Sequence, residues 1–238
     1  MPAVIVEGFS LGTEVPLAAD WNFNRRLYEL WAIYEHWPEG YLLSLSGPDA
    51  DGVMIQAVWR SQDYERDYMT TIGVERFTEA VRVLSEEGFR PVDVLPQNRL
   101  LTTLTFGPLA KEFVDIGADL DEAAARRLGM TLTAVDLVVD GFSDADDHAL
   151  WLQLDLVENC DPGIVMRLAV SYDESIKNTL VWSSEQAARE FVDQQLLPAV
   201  AEISPGSEQS ARVELREVKR LAIGSSELTP EILKAFGL

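Results

Sequence analysis

Side chains suited to proton transfer or nucleophilic attack near neutral pH are scarce in this 238-residue chain: two histidines and one cysteine. His36 ends an apolar helical face beside Trp37, and His148 follows Asp146-Asp147 in the first turn of a helix. They fall at unmatched positions of the internal repeat described next, so they build no symmetric metal or acid/base site. Cys160 sits in Glu158-Asn159-Cys160-Asp161, where two carboxylates raise a thiol pKa, and it reads as inert. Alone, it forms neither an intramolecular disulfide nor a cysteine metal cluster. No residue is assigned a catalytic role, and no metal is expected.

Glu7 and Asp140 each stand where a strand meets Gly-Phe-Ser. A strand-end carboxylate beside a pocket suits general-base work, but the expected role is a solvated carboxylate hydrogen-bonding the turn. The aromatic residues carry more. Trp31, Trp59, Tyr68 and Phe77, and later Trp151, Trp182 and Phe191, are the rings expected between helices and sheet. Trp59 and Trp182 either wall a cavity for a planar, apolar compound or fill it. The earlier set is richer in large rings, so an open pocket is expected there first. Gly8, Gly12, Gly40 and Gly47 form no phosphate loop and no dinucleotide fingerprint occurs, so no nucleotide cofactor is indicated.

The elements that position these rings come from a repeat. Val4-Ile5-Val6-Glu7-Gly8-Phe9-Ser10 matches Leu137-Val138-Val139-Asp140-Gly141-Phe142-Ser143 at an offset of 133. From Gly40 to Trp59 the chain aligns without gaps on Gly163 to Trp182 at an offset of 123, and Ser61 with Ser184 continues it. Val92, Val94, Arg99 and Leu100 align with Val213, Leu215, Arg220 and Leu221 at an offset of 121. The first copy carries ten extra residues, about Leu11 to Asp20, read as a Pro-containing loop.

Each copy reads as strand, helix, strand, strand, helix, strand. Ala3–Gly8 and Thr131–Asp140 open the copies. Leu27, Leu30, Trp31 and Tyr34 set one helical face, matched by Leu150, Gln153, Leu154 and Val157. Pro38-Glu39-Gly40 and Asp161-Pro162-Gly163 stop these helices. Two strands follow in each, joined in the first copy by the hairpin segment Gly47-Pro48-Asp49-Ala50-Asp51-Gly52. Ser61 and Ser183 or Ser184 are expected to cap the second helices. Val92–Leu95 and Val213–Val218 close the copies. This βαββαβ order is the split βαβ, ferredoxin-like motif. Val4-Ile5-Val6, Tyr41-Leu42-Leu43 and Leu137-Val138-Val139 are apolar on both faces, so the face away from the helices must also be covered. The expected fold is α+β: two ferredoxin-like repeats packed sheet-to-sheet as a barrel within one chain. The expected organisation is repeat 1 over 1–100, a linker over 101–130 with a short helix at Leu120–Leu128, repeat 2 over 131–223, and a helical tail over 224–238. In that tail a helix is expected over Thr229–Phe236.

A βαββαβ unit whose third strand ends in Trp-x-Ser and leads into an aromatic-bearing helix resembles the dimeric α+β barrel superfamily, including its antibiotic-biosynthesis-monooxygenase-like members. The residues are Val58-Trp59-Arg60-Ser61 with Tyr64 and Tyr68, and Val181-Trp182-Ser183-Ser184 with Ala187 and Phe191. The resemblance covers both copies and implies a fused tandem pair, hence a monomer with an internal pseudo-dimer, or a weak homodimer. In haem-degrading members a histidine about ten residues after this Trp ligates the iron. Here those places hold Met69 and Val192, so haem degradation is disfavoured and no cofactor is expected. The candidate ligand-binding set is Trp31, Trp59, Tyr68, Met69, Trp151 and Trp182.

Composition narrows the partners. With 47% apolar and 25% charged residues the chain is of ordinary globular type. Its net charge is −21, from 40 acidic and 19 basic residues, spread evenly as −10 over residues 1–120 and −11 over 121–238. Such a surface repels phosphates and anionic headgroups, so neither nucleic acid nor membrane is expected as a partner. The N-terminus resembles no signal peptide, and with one cysteine a reducing cytoplasm is the expected home. The expected function is binding of a small neutral or aromatic molecule, with cofactor-independent monooxygenase-like chemistry implied by the resemblance. The alternative is a non-catalytic structural or protein-interaction module that has lost the family's site.

Overall fold

The structure is a computed structural model that describes residues 5–13, 38–49, 52–87, 91–94, 97–113, 129–156, 161–172, 175–205 and 210–223. Its strands are β1 (Ile5–Thr13), β2 (Tyr41–Asp49), β3 (Gly52–Trp59), β4 (Pro91–Val94), β5 (Gln97–Phe106), β6 (Thr133–Val139), β7 (Ile164–Tyr172), β8 (Ser175–Trp182), β9 (Ala211–Glu217) and β10 (Arg220–Ile223). Helix α1 (Gln62–Tyr68) runs through a wide π turn, Met69–Gly73, into α2 (Val74–Glu86). Helix α3 (Asp144–Gln153) follows β6. Helix α4 (Glu185–Phe191) runs through a π turn, Val192–Leu196, into α5 (Leu197–Ile203).

The chain divides into two compact units, each assembled from separated stretches. The first holds Met1–Arg99, Phe113–Ala124 and Lys219–Thr229; the second holds Leu100–Glu112, Ala125–Val218 and Pro230–Leu238. In the first unit the strand order is β10-β2-β3-β1-β4, antiparallel throughout. In the second it is β5-β7-β8-β6-β9, again antiparallel. The four consecutive strands of each sheet have the ferredoxin-like order, so the fold is α+β with two antiparallel sheets.

In the second unit Val135, Leu137, Leu180 and Trp182 form one sheet face and meet Leu150 and Trp151 of α3 and Phe191, Leu196 and Val200 of the α4–α5 helix. On the opposite face Ala134, Met166, Leu168 and Val181 are also buried, as the two-sided apolar pattern requires. That face carries one buried charge cluster. Asp136 accepts from Arg216 Nε at 2.7 Å and from the Thr179 hydroxyl, with Lys177 Nζ 3.4 Å away. Burial alone would push the Asp136 carboxyl up, but Arg216, Lys177 and the hydrogen bonds together hold it below the ordinary carboxylate value. In the first unit Tyr41, Leu43, Leu45, Val58 and Trp59 are likewise buried.

Several local expectations are revised. Leu11–Thr13, read as loop, belongs to β1, because Leu11 and Gly12 find backbone partners in Val53 and Gly52. Gly47-Pro48-Asp49 belongs to β2, paired with β3, which shortens the hairpin connection. Chain from Leu101, read as linker, is strand β5, whose backbone pairs with β7. Helix α3 ends at Gln153 and not at Pro162. Asp155 turns left-handed at φ 55°, and the Leu156 N–H donates to the Trp151 carbonyl at 2.8 Å, a glycine-type C-cap closed by an Asp. Ser184 caps α4 by accepting from the Ala187 N–H at 3.4 Å, whereas Ser61 occupies the cap position of α1 without a side-chain capping hydrogen bond. The expected helices at Leu27–Tyr34, Leu120–Leu128 and Thr229–Phe236 lie outside the described residues.

Candidate functional site

The second unit sets a charged network against a cavity. Helix α3 is fixed at its start by a capping box: the Ser143 hydroxyl accepts from the Asp146 N–H at 3.3 Å, and the Asp146 carboxylate accepts from the Ser143 N–H at 3.0 Å. Asp147 and Trp151, four residues apart, therefore share a helical face. That face meets the sheet, and both side chains are buried. Asp147 Oδ1 accepts from Trp151 Nε1 at 2.9 Å and from Asn178 Nδ2 at 2.6 Å, and Oδ2 accepts from Arg167 Nη2 at 3.3 Å. Arg167 Nε and Nη2 also donate to Asn178 Oδ1 at 3.2 and 3.1 Å. The guanidinium lies over the Trp151 ring, 4.0 Å from its centroid. Register explains the convergence. Asn178 pairs with Ala169 and Arg167 with Leu180, so Arg167 and Asn178 are diagonal neighbours on one sheet face.

A buried ion pair is expensive to desolvate and on its own is weak evidence of stabilisation. Its place is more informative. Arg167, Asp147 and Trp151 line a cavity of about 270 Å³ together with Thr102, Thr103, Asp144, His148 and Ile176. Two consecutive strand residues rarely face one space. Here the β5–β7 register slips between Leu101 and Thr103, and this bulge brings both threonines to the cavity. The Thr102 hydroxyl donates to the Ala169 carbonyl at 3.1 Å. Larger depressions, about 580 Å³ along α4 and about 450 Å³ along α1, lie on exposed helix surfaces among charged side chains such as Arg189, Glu190, Arg66 and Asp67. They lie open along the helix surface, whereas the α3 cavity is the more enclosed of the three and is the candidate site. It is lined by the stacked Arg167–Trp151 pair, two threonines and one imidazole.

Of the ring set read from sequence, Trp151 lines this cavity. Trp59 is buried, 4.8 Å from Tyr41 and 5.5 Å from Tyr68 between ring centroids, and Trp182 is buried 4.9 Å from Phe191. These rings fill the space between helix and sheet. Both indole N–H groups are buried without a hydrogen-bond partner among the described residues. Met69 is half-buried at the first residue of the π turn, where its sulfur and the Tyr68 ring occupy the room a Cβ on Gly73 would need. Trp31, His36 and Cys160 lie outside the described residues. Asp140 is exposed and pairs with Arg212 at 2.8 Å, while the adjoining turn is held by the Ser175 hydroxyl accepting from the Gly141 N–H at 3.3 Å. The Asp140 carboxylate thus does not serve the turn as expected.

Asp147, Arg167, Asn178, Thr102 and Thr103 were not singled out by the sequence reading. One signal was available: an arginine inside the otherwise apolar run Ile164-Val165-Met166-Arg167-Leu168-Ala169-Val170 is costly to bury unless paired.

No family model matches this chain, and no curated protein matches it in sequence. Solved structures do match it. A candidate monooxygenase of Lactobacillus acidophilus is similar over 93% of this chain and 96% of its own, with a TM-score of 0.64 at 15% identity. A candidate monooxygenase of Fusobacterium nucleatum is similar over 93% and 95%, with a TM-score of 0.62 at 8% identity. An anthrone oxidase-like protein is similar over 97% of each chain, with a TM-score of 0.54 at 14% identity. At such identities the likeness is one of fold: the chain shares the α+β barrel fold of monooxygenase-like proteins.

Proposed function

We propose that this protein binds a small neutral or aromatic molecule in the α3 cavity and carries out cofactor-independent, monooxygenase-like chemistry there. The carrying observation is the buried Asp147–Arg167–Asn178–Trp151 network, a desolvation cost placed on a cavity wall and not in a featureless core. A volume of about 270 Å³ sits at the small end of ligand sites and suits one or two fused rings rather than a tetrapyrrole. The fold likeness to candidate monooxygenases supports the reaction class. The even acidity supports a neutral ligand, since an anion would approach against the whole surface.

The same reading takes the chain as a tandem repeat that is monomeric in solution. It is supported by the matching strand orders, by β-bulges between Tyr41 and Leu43 and between Ile164 and Met166, and by π turns at Met69 and Val192, 123 residues apart. The polar site belongs to one copy only: at that offset Ser44 replaces Arg167 and Ile55 replaces Asn178. A non-catalytic role is favoured for the first copy by the packed Tyr41–Trp59–Tyr68 cluster.

The test is a titration with hydroxylated naphthalenes followed by tryptophan fluorescence, with oxygen uptake measured in parallel. Saturable binding lost in Thr103→Phe supports the reading. Binding that survives this obstruction, or no binding at all, rejects it, and binding without oxygen uptake reduces it to a carrier.

A further inference from the structure

Glu65 in α1 is only 8% exposed, and its side chain makes no hydrogen bond or ion pair among the described residues. A buried carboxyl with no partner is costly whether neutral or ionised. With the chain read as a tandem repeat, the equivalent position 123 residues on is Ala188, fully buried in the core of the second unit. The π turns that follow, at Met69 and Val192, keep the same offset. A methyl group therefore suffices to seat this helix on its sheet, and packing alone does not call for the Glu65 carboxyl. We infer that Glu65 is a pH-operated latch of the first copy: α1 stays seated on the sheet while the carboxyl holds its proton, and loss of that proton favours an open α1.

The surroundings offer the ionised form little. On α1 Arg66 is adjacent, but its guanidinium donates to Asp63, and both side chains are exposed, as is Asp67. At the end of β3 the Arg60 guanidinium lies 5.7 Å from the centre of the Tyr64 ring. The sheet presents Trp59, whose ring is 5.5 Å from Tyr68 of α1 and 4.8 Å from Tyr41 of β2. Ala57, two residues back along β3, shares the Trp59 face, and β1 sets Glu7 opposite it in backbone register. The buried residues of α2, Ala80 and Leu84, are apolar. Tyrosines ionise well above neutral pH, and a second glutamate supplies no counterion. Burial is the larger influence and holds the Glu65 carboxyl above the ordinary glutamate value, with Arg66 pulling the other way. The seated state thus binds the proton more tightly than the open one. Its extra stability is fully present below the ordinary value and is lost as pH rises through the raised one. The step is an ionisation: the O–H bond breaks, the electron pair stays on the carboxylate, and the proton passes to water.

The experiment is hydrogen exchange of the full-length protein between about pH 5 and about pH 8, read by mass spectrometry and corrected for the intrinsic pH dependence. Glu65→Gln and Glu65→Ala are run alongside. Peptides over Gln62–Tyr68 report the latch, and peptides over Glu185–Phe191, where Ala188 stands, are the internal control. In the unaltered protein, protection of Gln62–Tyr68 should fall by up to about tenfold per pH unit above the ordinary carboxylate value, because opening releases one proton. Protection of Glu185–Phe191 should not follow it. In both variants protection of Gln62–Tyr68 should be independent of pH and should exceed that of the unaltered protein at the alkaline end. Glu65→Gln keeps the size of the side chain, so a void left by Glu65→Ala cannot imitate the result. Flat protection in the unaltered protein, a fall shared equally by Glu185–Phe191, or the same fall in Glu65→Gln overturns the inference. So does a Glu65→Gln helix less protected than the unaltered one at the alkaline end.

Discussion

The Arg167 guanidinium lies 4.0 Å from the centre of the Trp151 ring, and both side chains bond the same carboxylate, Asp147. A strand and a helix are joined through one buried ion pair facing a cavity. Removing one partner strands the other. Arg167→Met leaves Asp147 buried without its cation and is expected to cost about 3–5 kcal/mol in urea unfolding. Arg167→Met with Asp147→Asn should recover part of that loss. Arg167→Lys should behave nearer to Met than to Arg, because an ammonium cannot bond two partners and stack at once. Full stability in Arg167→Met would show the pair to be dispensable.

Acid should loosen the opposite face of the same sheet. The Asp136 carboxyl is held below its ordinary value when folded, so the folded state binds this proton less readily than the unfolded one. Its contribution is present above the ordinary carboxylate range and is lost as pH falls through that range toward the lowered value. Asp136→Asn removes the buried carboxylate that Arg216 and Lys177 face and should cost about 3–5 kcal/mol near pH 7. The gap between variant and parent should narrow as pH falls, because protonation neutralises the parent too. A gap independent of pH contradicts this account.

Among the described glycines of the second unit, Gly107 lies closest against neighbouring backbone. A Cβ there would sit 1.8 Å from the Ile164 carbonyl oxygen, and the Gly107 N–H donates to Val165 at 2.9 Å. Backbone cannot swing aside as a side-chain tip can. Gly107→Ala should therefore cost about 3 kcal/mol or more and weaken the β5–β7 pairing that presents Thr102 and Thr103. Gly129→Ala is the control: φ is +71° but nothing lies within 4 Å, so only the left-handed backbone penalty of about 1–2 kcal/mol applies. Thermal melts that rank these two the other way would refute the contact argument.

Leu221 tests the strand order. It is fully buried and pairs with Leu45 of β2, although β9 is its neighbour in sequence. Leu221→Ala should cost about 2–5 kcal/mol. Hydrogen exchange should accelerate along Tyr41–Asp49 more than along β7 or β9. Acceleration confined to the second unit would exclude the β10–β2 pairing.

The strands and the caps were readable because their causes are local. Alternation and apolar runs mark β2, β3, β6, β7 and β8, and Ser184 announces α4. Trp151 is legible as a pocket residue because it is one of the large rings that the repeat sets between helix and sheet. Its partners are not, since a hydrogen bond between Asp147 and Asn178, 31 residues apart, leaves no mark on either segment alone. Leu101 onward shows the same limit. The β-branched and aromatic residues of Leu101-Thr102-Thr103-Leu104-Thr105-Phe106 suit a strand, but the partner that makes it one, β7, lies far along the chain.

By itself, then, the sequence determined the βαββαβ order of the second copy, the two-sided burial of the sheets and the even acidity of the chain, because each follows from residue type and spacing. Tertiary structure alone decided which strand borders which, that a bulge aims Thr102 and Thr103 into one space, and that Arg167, Asp147 and Trp151 meet there. Those are matters of long-range register, and register is set by backbone partners that the chain supplies from far away.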